Sequence, residues 1–129
     1  MTKEEHIQYW LTTAQHDMES ASGMLSSGHY DWALFVGHLA LEKILKAHWV
    51  KNNEWNVPPR IHDLVKIAEL ANLLLSNEDK LLLHEVNDFN IEGRYPDFKY
   101  VFYKKATKEF AEKYLKRMKE FYECTRKLI

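Results

Sequence analysis

Three residues able to move protons stand four apart in the stretch YDWALFVGHLALEKILKAHWV (30–50): His38, Glu42 and Lys46. On a helix that spacing makes one polar row, with Asp31 one or two turns earlier, Lys43 beside it and apolar residues elsewhere. Either Glu42 and Lys46 form an exposed pair contributing about 0.2–0.5 kcal/mol, or the row is partly buried at a cleft or subunit interface, where each charge requires a partner. A second group lies in FNIEGRYPDF (89–98). Pro96 disfavours the helical conformation at Tyr95. Tyr95 and Phe98 can then stand as stacking platforms beside the Arg94 guanidinium, a combination suited to the base and phosphate of a nucleotide. The competing arrangement folds Phe89, Ile91, Tyr95 and Phe98 back as a hydrophobic lid, with Arg94 paired to Glu42 or Glu92. A third group, His62-Asp63, can cap a helix, face a site, or do both.

Other chemistries lack their residues. The seven histidines include no His-x-x-x-His pair and the single Cys124 has no cysteine partner, so no zinc set is apparent. There is no glycine-rich phosphate loop and no Gly-x-Ser-x-Gly turn. A formal net charge of −1 supplies no overall field toward nucleic acid or membrane, so such a partner must be met by a local patch. No stretch approaches the ~20 apolar residues of a membrane span, and MTKEEHIQYW lacks the basic start and apolar run of a signal peptide. One unpaired cysteine fits a reducing compartment, and the expected location is the cytoplasm.

These residues need helices to position them. Only four Gly and three Pro occur in 129 residues, and most coincide with breaks in the apolar periodicity. Thr2 with Glu5 reads as a capping box, opening a helix to about Ser26 with Ile7, Trp10, Leu11, Ala14 and Met18 at steps of three and four. A second helix runs from about Tyr30 to Asn52. It is apolar on more than one face and therefore central. A loop over 53–60, containing Pro58-Pro59, precedes a third helix capped by His62 or Asp63 and carrying apolar residues from Leu64 to Leu75. Ser76 with Asp79 starts a fourth, which the 89–98 connection ends, and Thr107 or a neighbour starts the last. The pattern predicts one domain over 1–129, all-α, an up-and-down bundle of about five helices.

In order and spacing, YDWALFVGHLALEKILKAHWV (30–50), PPRIHDLVKIAE (58–69) and FNIEGRYPD (89–97) resemble the HEPN family, named for a nucleotide-binding domain of higher eukaryotes and prokaryotes. The resemblance covers most of the chain and implies a small helical domain, usually a homodimer with its functional surface in the cleft between subunits, often partnered by a minimal nucleotidyltransferase. Many members of the wider superfamily are metal-independent ribonucleases, some acting as toxins, whose motif is an arginine followed after four to six residues by a histidine. This sequence departs from that motif. Arg94 has no histidine at those spacings, and His62 is too close to Arg60.

Two expectations follow. The first is a non-catalytic module that binds a purine nucleotide or a nucleotidyltransferase partner through Arg94, Tyr95, Glu42, Lys43, Lys46, His38, His62 and Asp63, with no metal and no further cofactor. The second is a ribonuclease that takes its missing acid/base from His62 or His38 of either subunit. In both, Trp32, Phe35, Val36, Leu39 and Trp49 give the second helix more apolar surface than one small bundle covers, and a twofold homodimer is expected to cover it.

Overall fold

The computed structural model describes residues 1–129, the side chains of residues 96 and 97 excepted. Among the described residues the chain forms six helices and no strand: α1 (Lys3–Ser26), α2 (Tyr30–Asn52), α3 (Leu64–Leu70), α4 (Asn77–Arg94), α5 (Pro96–Lys105) and α6 (Lys108–Lys127). Three of the four long helices open on a hydroxyl that accepts from a first-turn amide. Thr2 Oγ1 accepts from Glu5 N at 3.1 Å, Ser76 Oγ from Asp79 N at 3.0 Å, and Thr107 Oγ1 from Phe110 N at 3.2 Å.

Two segments depart from the sequence expectation. The third helix stops at Leu70 instead of running to Leu75, because Asn72 takes a left-handed φ of 60°. The amides of Asn72 and Leu73 then bond back to the carbonyls of Glu69 (3.0 Å) and Ala68 (3.1 Å), which closes the helix end. The 89–98 segment is not a loop. Phe89 and Asn90 are buried, so the packed face of α4 continues to Arg94. Pro96 holds off continuation: Tyr95 alone is extended (φ −100°, ψ 126°), and Pro96, with its fixed φ and no amide proton, is well suited to open α5. This sixth helix replaces what the sequence suggests is a connection.

Helix directions follow from who meets whom. Lys43 and Asp17 pair at 2.7 Å and Lys3 Nζ reaches the carbonyl of Val50 at 2.7 Å, so α1 and α2 are antiparallel. Along α2 and α6, Gly37 faces Leu115 and Met118 while His48 meets Thr125, so those two run parallel. Phe89 packs on Phe110 and Tyr114, and Glu85 lies 3.7 Å from Arg117, so α4 opposes α6. The long helices thus go up, down, up, down, with α2 and α6 on the diagonal and α3 and α5 inside the two later crossings. A Cβ at Gly37 would lie 2.7 Å from Met118 Sδ; its absence lets α2 and α6 approach. α2 packs against all five other helices, and its polar row is correspondingly inside.

Candidate functional site: a buried polar row and an oriented arginine

The row on α2 is buried. The Glu42 and Lys46 side chains are each only 9% exposed, and Lys46 Nζ donates to Glu42 Oε2 at 3.1 Å. Lys46 also sits 5.5 Å from the centroid of the Trp10 ring on α1. The other carboxylate oxygen, Oε1, accepts from His62 Nδ1 at 2.9 Å. His62, half exposed just before α3, completes the row; Arg94, the candidate the sequence offers for that position, does not pair with Glu42.

His62 is held from several directions. Its carbonyl accepts from Nε2 of His38 at 3.1 Å, and His38 is itself fully buried. Burial lowers the His38 pKa to about 4, against the raising influence of Glu42, so this imidazole is neutral near pH 7. With its proton on Nε2, its Nδ1 is a bare acceptor, buried and without a partner among the described residues. The next residue, Asp63, caps α3. Its Oδ1 accepts from the amides of Val65 (3.1 Å) and Lys66 (3.3 Å) and from Asn87 Nδ2 (2.9 Å), while Asn87 Oδ1 accepts from Leu64 N at 2.9 Å. Asp63 therefore acts as a clamp on the His62 backbone. Since a carboxylate can only accept, the Glu42 contact puts the His62 proton on Nδ1 and leaves Nε2 as the free nitrogen of the neutral ring.

Arg94 lies at the last turn of α4. Its Nε donates to Asn90 Oδ1 at 2.8 Å, one turn back, and its guanidinium lies 5.4 Å from the centroid of the Phe35 ring. Neither Glu42 nor Glu92 pairs with it; Glu92 faces Lys105 at 3.7 Å. Its charge is near enough to His38 to add to the lowering of that pKa. Tyr95 and Phe98 are exposed, as is Trp32 on α2, so the hydrophobic-lid arrangement holds only for Phe89. Phe35 packs on Gly93, where a Cβ would come within 2.8 Å of its ring.

Of the sequence candidates, His38, Glu42, Lys46 and His62 thus form one contiguous network. Asp63 supports it, and Arg94 with Tyr95 stands apart at the α4–α5 junction. Lys43 faces the other way, paired with Asp17 at 2.7 Å on α1. Sequence reading missed Asn90 and Asn87. The four-residue step from Asn90 to Arg94 was a usable signal. The contact of Asn87 with Asp63 spans 24 positions and had none. Among the described residues no group of three or more His, Cys, Asp or Glu is arranged to hold a metal ion, and no helix is long and apolar enough to cross a membrane.

A family model described as HEPN domain matches residues 7–128. No curated protein matches the chain. Among solved structures, the chain is similar to TT1696 from Thermus thermophilus, with a TM-score of 0.79 and 22% identity, over 95% of this chain and 98% of that one. At that identity the likeness shows the fold.

Proposed function

From the premise that the chain belongs to the HEPN domain family, we propose that it is a non-catalytic binding module, working as a cytoplasmic homodimer that engages a purine nucleotide or a nucleotidyltransferase partner. The observation that carries this reading is Arg94. Its guanidinium is aimed by Asn90 and backed by Phe35, and no carboxylate pairs with it among the described residues. A cation oriented in this way, with the exposed rings of Tyr95 and Phe98 close to it in the chain, suits a phosphate and a base together. The twofold arrangement is supported by Trp32, exposed, and by Phe35, Val36, Leu39 and Trp49, all only partly covered within one chain. Pairing α2 and the 89–98 segment about a twofold axis would bring two Arg94 residues to one cleft and bury on the order of 1,200–2,000 Å². Calorimetric titration with ATP, GTP and their analogues tests the ligand, with saturable binding expected for the native chain and none for Arg94→Ala. No binding by any nucleotide would leave the partner protein as the ligand. Light scattering at about 50 μM tests the dimer, and a lone 15.4 kDa species would overturn it.

One observation favours a second reading, a metal-independent ribonuclease. Glu42 behind Nδ1 of a half-exposed His62 is the arrangement of a general base, delivered through the fold instead of through the motif spacing. Incubation with total RNA decides this. Cleavage abolished by His62→Ala and strongly reduced by Glu42→Gln would establish it, and intact RNA would exclude it.

A further inference from the structure

A groove of about 320 Å³ lies between the start of α4 and the second half of α6. Its floor is apolar, with Leu75, Leu82 and Phe121, and its rim is acidic, with Glu78, Asp79 and Glu120. Arg117, the cation of this lining, is turned toward Glu85 at 3.7 Å and the Tyr114 ring at 5.5 Å. Such a groove fits aromatic side chains carried between lysines.

The chain carries such an element at the opposite end of the bundle. Because α4 and α6 are antiparallel, the groove sits where α4 begins and α6 ends, whereas α5 sits where α4 ends and α6 begins. On α5, Phe102 is the buried anchor, and Tyr100 and Tyr103 are 65% and 63% exposed. Lys104 covers the Tyr100 ring at 4.6 Å, and Lys99 covers Trp32 at 4.6 Å. Between residues 94 and 105 the charges are Arg94, Lys99, Lys104 and Lys105 against Asp97, in a chain whose net charge is −1. At 100° per residue, Tyr100 and Lys104 point away from Phe102, while Phe98 flanks the bundle side. The outward face is therefore distinct from the Arg94–Tyr95 face and is not absorbed by the proposed twofold contact.

We propose that the Tyr100–Tyr103–Lys104 face of α5 docks into the acid-rimmed α4–α6 groove of a second copy of this chain, a head-to-tail contact in addition to any twofold one. Two patches complementary in charge and apolar character, placed at opposite ends of one molecule, generate a heterologous interface, in which each copy offers one donor and one acceptor. The contact does not depend on the nucleotide-binding reading.

The test uses the full chain in three forms: native, Tyr100→Glu/Lys104→Glu on the helix, and Glu78→Lys/Glu120→Lys on the groove rim. Circular dichroism first confirms that each keeps its helices. By light scattering, the native chain should grow in mass with concentration beyond a dimer at about 0.01 M salt, where charges act over about 30 Å, and lose that growth near 1 M, where they act over about 3 Å. Each variant alone should fail to grow while keeping any twofold dimer. Their equimolar mixture should regain growth in alternating order, since the native helix face of one variant meets the native acidic rim of the other and the two reversed surfaces again carry opposite charges. Native chain that never exceeds a dimer, variants that still grow, or a mixture that stays as its separate components would each overturn the proposal. A monomeric native chain in 0.15 M salt would instead count against the twofold reading.

Discussion

The two halves of α2 handle demanding side chains in opposite ways. Around Glu42, a carboxylate, an ammonium and the His38 imidazole are packed inside with half-exposed His62 closing the row, and both carboxylate oxygens have a donor at 2.9 and 3.1 Å. Around Trp32 and Phe35, at the other half, rings face outward and Arg94 lies across one of them without a charged partner among the described residues. The contrast is one of solvent. A buried charge is tolerated only if the chain itself pairs it, so the inner half is closed and specific. At the outer half water satisfies the polar atoms, and the rings remain available for a ligand or another subunit.

Replacing Glu42 by Ala should break the inner half most severely. It would strand Lys46 in the interior and remove the partner of His62, costing about 3–5 kcal/mol in urea denaturation. A loss below about 1 kcal/mol would mean that water reaches the row and that the two halves do not differ as described.

Acid should open the same half. The folded His38 pKa of about 4 lies below its ordinary 6.5, so the unfolded chain binds the proton more readily and stability falls as pH drops from about 6.5 to 4. The full effect is about 3 kcal/mol, and His48, also lowered by burial, acts in the same direction. His38→Gln should flatten the measured slope of stability against pH in that window.

Gly93→Ala probes the outer half from beneath. The new Cβ would meet Phe35 at 2.8 Å, and the half-buried ring must shift, costing about 1–3 kcal/mol and tilting Arg94 off its platform. Nucleotide affinity, where calorimetry detects it, should fall by more than the stability change alone accounts for.

The smallest effect sharpens the comparison. Tyr95→Ala and Phe98→Ala remove exposed rings and should change stability by no more than about 0.5 kcal/mol while weakening binding or dimerisation. A large loss of stability would show that these rings belong to the core.

Much of the frame was legible because its causes are local. Thr2, Asp63, Ser76 and Thr107 mark helix starts by chemistry that acts within three residues, and the sequence places α2 over Tyr30–Asn52 as found. The left-handed Asn72 that ends α3 and the continuation of α4 through Arg94 were less visible. The first depends on amides bonding back to Glu69 and Ala68, the second on what buries Phe89. At the site, the row of His38, Glu42 and Lys46 could be read from a spacing of four, whereas the contact of Arg94 with Phe35 could not.

The amino-acid sequence by itself determined most helix starts, the spacing of the row and the positive charge of Arg94, because periodicity, caps and side-chain charge are properties of neighbouring residues. Only the tertiary structure decided that Glu42 is closed by His62 from 20 positions away, that Lys43 turns to Asp17, and that Arg94 rests on Phe35 instead of joining the row. Which charge meets which depends on how α1, α3 and α4 are laid against α2, and that is set by the burial of apolar faces over the whole bundle.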